Sequence, residues 1–145
     1  MLGENKNMLI RLLGQCPELV HLKIVGNYNF GSVVTKSIVQ VLSQYTKLEH
    51  LNLSGNSIGD IGAESLARVL GQFKTLIYLD ISWNNIGPDG IKSLVKVLVQ
   101  CTSLIHLDLN NNNMKSYSLK NFVKVLLQCP SLNHIKLDDN RITRL

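Results

Sequence analysis

All four histidines of this chain occupy one place in a recurring phrase: His21 in LVHLKI, His50 in LEHLNL, His106 in LIHLDL and His134 in LNHIKL, with Tyr78 standing there in LIYLDI. A row of imidazoles suggests two chemistries, metal ligation and proton-dependent binding. Zinc takes each nitrogen at about 2.1 Å, whereas neighbouring parallel strands lie about 4.8 Å apart. With Tyr78 between them, His50 and His106 are expected roughly 10 Å apart. At most two separate histidine pairs form, and the expectation is that the chain holds no metal. Unperturbed imidazoles titrate near about 6.5, so a partner lying on the row would be bound in a pH-sensitive way.

Other reactive residue types do not assemble into known chemistry. Gly55, Gly59 and Gly62 superficially resemble a phosphate loop, but no Lys-Ser or Lys-Thr follows, and the glycines recur as Gly87 and Gly90. They are expected to be turn residues, which with Pro88 punctuate the passage from strand to helix. No GxSxG elbow, HExxH helix or EF-hand loop is present. Cys16, Cys101 and Cys129 form no CxxC pair and share a position with Tyr45 and Phe73, so that position is an apolar slot. Asn52-Leu-Ser fits a glycosylation sequon, yet it falls within a strand. The expectation is a protein that is not an enzyme and needs no cofactor.

The elements that position these residues follow from a repeat. The phrases LVHLKIVGN, LEHLNLSGN, LIYLDISWN, LIHLDLNNN and LNHIKLDDN occupy residues 19–27, 48–56, 76–84, 104–112 and 132–140, a step of 29 residues followed by three of 28. Their inner leucines alternate with variable residues, which makes each phrase a short strand with one buried and one readable side. Between phrases the apolar residues take helical spacing: Ala63, Leu66, Ala67 and Leu70, then Ile91, Leu94, Val95 and Leu98, then Leu119, Phe122, Val123 and Leu126. Ile38, Val39 and Leu42, and before them Leu9, Ile10 and Leu13, fill the same places. A strand followed by a crossover helix requires parallel stacking. One unit alone buries too little to offset the cost of ordering its backbone, so about three units are the minimum and five suffice. Residues 1–145 are therefore expected to form a single α/β domain, an N-terminal helix plus five strand phrases. Asn27, Asn56, Asn84, Asn112 and Asn140 end the phrases and are expected to bond loop backbone left unpaired after each strand.

The LxxLxLxxN phrase, the 28-residue period and the N-x-I-G-x-x-G loops at 56–62 and 84–90 resemble the ribonuclease-inhibitor-like class of leucine-rich repeats over about residues 6–145. That class includes ribonuclease inhibitor, the sensor regions of NOD-like receptors, the Ran GTPase-activating protein and effectors of intracellular bacteria. The resemblance implies a horseshoe-shaped leucine-rich-repeat solenoid with a parallel β-sheet on its concave face and helices on its convex face. The first loop, NYNFGSVV, carries one extra residue, which should push Tyr28 and Asn29 outward. The chain opens on a helix with no strand before it and closes on DDNRITRL, which suggests a piece of a longer protein or self-association through uncapped ends.

Three columns should face away from the leucines. The first holds His21, His50, Tyr78, His106 and His134; the second Lys23, Asn52, Asp80, Asp108 and Lys136; the third Val25, Ser54, Ser82, Asn110 and Asp138. Trp83, the only tryptophan, lies just past its strand on the same rim as Asp139. Exposed aromatics are favoured anchors, so Trp83 and Tyr78 are the expected hot spots of a partner-binding surface in which the acidic residues outnumber Lys23 and Lys136. The net charge of +5 resides elsewhere, on helix positions such as Arg11, Arg68, Lys96 and Lys124, or Lys36, Lys92 and Lys120. These read as solvated helix faces. No aromatic residues interleave them for base stacking, no run reaches the roughly 18 apolar residues of a membrane helix, and the start has no signal-peptide pattern. The expected partner is another protein rather than nucleic acid or membrane, met in the cytoplasm, or in a host cytosol if the chain is a bacterial effector. Regulation of a small GTPase and a self-associating structural array are the alternative readings.

Overall fold

In the computed structural model, residues 2–143 are described. They run α1 (Leu2–Gly14), β1 (His21–Lys23), α2 (Gly31–Leu42), β2 (His50–Asn52), α3 (Gly59–Leu70), β3 (Tyr78–Asp80), α4 (Pro88–Leu98), β4 (His106–Asp108), α5 (Ser116–Leu126) and β5 (His134–Lys136). The strands form one parallel sheet in sequence order. His21 stands opposite His50, His50 opposite Tyr78, Tyr78 opposite His106 and His106 opposite His134. The repeat phrase therefore fixes the register without slippage, because a shift of one residue would turn every leucine to water. Backbone pairing continues past each strand, as in Ile24 N–H to Asn52 O (2.9 Å), Leu53 N–H to Asp80 O (2.8 Å) and Ile81 N–H to Asp108 O (3.0 Å).

Leucines and isoleucines of the strands, among them Leu51, Leu53, Leu79, Ile81, Leu107 and Leu109, are buried against Leu42, Leu66, Leu70, Leu94 and Leu98 of the helices. At about 1.5–3 kcal/mol for each fully buried large side chain, this shared interior is what holds the repeats together. α3 packs against α2 and α4, and α4 against α3 and α5. Among the described residues α5 has a helix on one side only. Its expected apolar stripe is correspondingly incomplete: Phe122 is buried, Leu119 and Leu126 are partly so, and Val123 is 43% exposed. Its equivalents Ala67 and Val95 are buried.

Two of the glycines differ from the expected turn role. Gly62 and Gly90 lie inside α3 and α4, where absence of a side chain lets neighbouring units approach. A Cβ on Gly90 would stand 2.7 Å from an Asp60 carboxylate oxygen and from the Ile86 side chain. Asp60, in the first turn of α3, uses that closeness. Its Oδ1 accepts from Gly87 N–H (2.7 Å) and Gly90 N–H (2.9 Å), so one repeat caps the helix start of the next with a negative charge at its positive end.

The asparagine column behaves as expected and also links the units. Asn84 donates through Nδ2 to Leu53 O (2.9 Å) and Ser82 O (3.0 Å), while its Oδ1 accepts from Asn56 N–H (2.8 Å) and Ile58 N–H (3.3 Å). Asn112 repeats this one unit on, accepting from Asn84 N–H and Ile86 N–H. Asn56 and Asn140 make parallel sets.

The cysteine slot is apolar as well. Cys101 and Cys129 are buried and Cys16 half-buried, all as free thiols. Burial pushes the Cys101 thiol up to about 11, an effect Lys74 only partly offsets, and burial also raises Cys129. Because the thiolate is the reactive form, a thiol reagent at mildly alkaline pH should label Cys16 first and Cys129 more slowly, with Cys101 reacting only on unfolding. Peptide mass spectrometry reads the order. Labelling of Cys101 in the folded protein at the rate of Cys16 would contradict the slot.

Candidate interaction face

The sheet face turned away from the helices carries the three expected columns side by side, with Trp83 on the rim beyond them, but the residues are in unequal states. Its first row is a continuous ladder of rings. Centroids are 4.4 Å apart for His21 and His50 (edge-on, 73° between planes), 5.8 Å for His50 and Tyr78, 6.1 Å for Tyr78 and His106, and 4.4 Å for His106 and His134 (stacked, 26°). The row thus divides into two close histidine pairs separated by the tyrosine, as strand spacing requires. At the far end, His134 Nδ1 contacts Asn133 Oδ1.

In the second row the polar groups bond chiefly to one another. Asp80 is only 8% exposed. Its Oδ1 accepts from Ser82 N–H (3.0 Å) and Ser82 Oγ (2.7 Å), and its Oδ2 from Asn52 Nδ2 (2.9 Å), with Tyr78 Oη at 3.5 Å. A buried charge with its lone pairs satisfied orders its surroundings. Asp80 therefore holds Tyr78 and Asn52 in place and offers little of itself to a ligand. Burial and the nearby Asp80 and Asp108 carboxylates raise the Tyr78 phenol above its ordinary value, so it stays a neutral donor. Asp108 pairs with Lys136 at 3.3 Å, and hydrogen bonding and attraction to that carboxylate hold the ammonium above the usual lysine range. Lys23 and Asp138 remain exposed, and Asn110 is half-buried, spanning to Asp138 N–H at 2.7 Å. One carboxylate of this face is thus tied up in the Asp108–Lys136 pair.

The rim just beyond the strands carries the least expected feature. The residue preceding each phrase-ending asparagine has a left-handed backbone in all five repeats: Gly26 (φ 74°), Gly55 (φ 71°), Trp83 (φ 56°), Asn111 (φ 52°) and Asp139 (φ 53°). Glycine, asparagine and aspartate tolerate that region; a bulky residue there is an outlier costing of order 1–3 kcal/mol. Trp83 is also 59% exposed and so recovers little of that cost by packing. It lines an open cavity of about 170 Å³ with Tyr28, Val25, Gly26, Ser54 and Gly55. Trp83 shares this cavity with Tyr28. That residue, 66% exposed, is carried outward by the extra residue of the first loop, and two glycines clear the space between the rings. The clue in the sequence was the column Gly26, Gly55, Asn111 and Asp139, in which Trp83 is the odd member.

The profile of the family described as Leucine Rich repeat matches residues 45–67, 74–95 and 100–117. Among solved structures, Leiomodin-1 Actin-Binding Site 2 superposes with a TM-score of 0.79 at 18% identity, over 88% of this chain and 76% of that one. The tropomodulin C-terminal domain of Caenorhabditis elegans does so with a TM-score of 0.78 at 15% identity, over 91% and 81%. No curated protein sequence matches. At such identities these likenesses speak for the fold, and they agree with the sequential parallel sheet and its flanking helices. The profile falls on three successive repeats and two solved domains share the fold over most of the length, so the chain carries leucine-rich repeats in a leucine-rich-repeat fold.

Proposed function

We propose that this chain is a non-catalytic protein-binding module whose partner docks on the open sheet face and is anchored at the rim by Trp83 and Tyr28. The observation that carries the reading is the conformation of Trp83. A bulky aromatic is kept, at an energetic disadvantage and mostly in water, where four other repeats place small or backbone-tolerant residues. Strain of this kind marks functional positions, and exposed tryptophan beside tyrosine is the composition of binding hot spots. The strands below are held in one continuous paired sheet, so little freedom is lost on association.

The use of the same fold as an actin-binding site in Leiomodin-1 supports a protein as the ligand. Actin is accordingly one partner to test by co-sedimentation with filaments. The general test is crosslinking with mass spectrometry on complexes captured from cytosol. Crosslinks concentrated at Lys23, Lys136 and the rim support the reading. Crosslinks confined to the helix lysines Lys36, Lys92, Lys96 and Lys120 would place the interface on the opposite side and overturn it.

A further inference from the structure

We infer that His21, His50 and Glu49 form a binding site for one divalent transition ion of the zinc class at the first two strands of the sheet. One ligand atom from each of the three lies within 4.8 Å of the other two. Two imidazoles and a carboxylate are a donor set that zinc favours, with a fourth position left open for water or an incoming side chain. The two histidines are register partners on adjacent parallel strands, so their Cα positions are fixed by the sheet rather than by a loop. Glu49 is fixed equally well: its N–H donates to Val20 O (2.8 Å), and its carbonyl accepts from both Ile77 N–H (2.8 Å) and Tyr78 N–H (3.0 Å). Its side chain is free to bind. The carboxylates in ion pairs among the described residues are Glu18, Glu64 and Asp108, so that of Glu49 is uncommitted.

Ligand atoms around a tetrahedral zinc at about 2.0–2.1 Å lie roughly 3.3 Å from one another, so closure on an ion requires movements of little more than an ångström. Exposed His21 and half-buried Glu49 and His50 have the room for such rotations. The edge-on arrangement of the two rings, 73° between planes, allows nitrogen lone pairs from both to converge on one point. The second histidine pair is a natural contrast. His106 and His134 are stacked at 26°, the latter's Nδ1 is in contact with Asn133, and the nearby Asp108 is paired with Lys136.

The experiment is a titration of chelator-treated protein with Zn²⁺ at pH 7.5, followed by calorimetry and by competition with a chromogenic chelator. One ion per chain is expected. Changes in the surroundings of metal ligands alone weaken binding by about 10–100-fold. His21→Ala, His50→Ala and Glu49→Gln, each removing a ligand, are each expected to weaken it at least about tenfold. Cys16→Ser and the double variant His106→Ala/His134→Ala should leave it unchanged. Co²⁺ substitution should give the visible spectrum of a nitrogen and oxygen site without thiolate charge transfer. Failure to bind Zn²⁺, indifference to His21→Ala and His50→Ala, or a thiolate band that Cys16→Ser abolishes would each overturn the assignment. The substituted histidines lie on the open face of the sheet and Glu49 is half-buried beside them, and far-UV circular dichroism verifies that each variant is folded.

Discussion

Replacing Asn84 by alanine is expected to lower the stability of the fold by about 3 kcal/mol or more, among the largest effects available to any single polar side chain in the chain. The fully buried amide serves four backbone groups in two repeats: Leu53 O, Ser82 O, Asn56 N–H and Ile58 N–H. A buried donor or acceptor stripped of its partner costs about 1–3 kcal/mol, and alanine strips several at once without opening a path for water. A domain has only about 5–15 kcal/mol of net stability, so the loss is a large share. Asn27 is the internal control. Half-buried in the first repeat, its side chain donates only to Val25 O at 3.2 Å, and Asn27→Ala should cost under about 1 kcal/mol. Urea denaturation followed by far-UV circular dichroism distinguishes the two. Equal midpoints for Asn84→Ala and Asn27→Ala would refute the linkage of repeats through the asparagines.

Trp83→Asn is expected to move stability and binding in opposite directions. Asparagine occupies the same left-handed position at Asn111, so the exchange relieves a strain of about 1–3 kcal/mol while removing little buried surface. The folded state should gain on the order of 1 kcal/mol. Affinity for the protein partner, in contrast, should fall by at least about 2 kcal/mol, close to 30-fold, if the indole is an anchor. Tyr28→Ala tests the same cavity from its other wall and should weaken binding without the stability gain. A Trp83→Asn variant that binds normally would remove the rim from the interface. One that is less stable than the parent would show that the indole packs in solution.

The periodic part of this protein was open to reading in its sequence. Leu51, Leu79 and Leu107 are buried, and His50, Tyr78 and His106 line up, because strand alternation and a constant step place equivalent residues of the inner repeats in equivalent environments. What escaped was the reach of side chains from one repeat into the next. Asp60 bonds Gly87 and Gly90, which are 27 and 30 residues away, and nothing in a 28-residue period announces that a carboxylate will cap its neighbour's helix. Gly62 and Gly90 looked like loop punctuation because glycine serves both turns and close helix contacts. Asp80 looked like a ligand-facing acid because its position on the open face is visible in the alternation, whereas its saturation by Ser82 and Asn52 depends on rotamers. Strand spacing separates the histidines into pairs, but it carries no information about the side-chain rotamers that bring ligand atoms of Glu49, His21 and His50 within 4.8 Å of one another.

The isolation of Trp83 has a practical consequence. Its indole is the single strong fluorophore of the chain, and it stands in solvent at the rim, away from the aliphatic interior. Its emission should change little when that interior melts, yet shift toward the blue when an incoming surface seals the rim. The protein therefore contains its own optical gauge of docking, one that is nearly blind to denaturation.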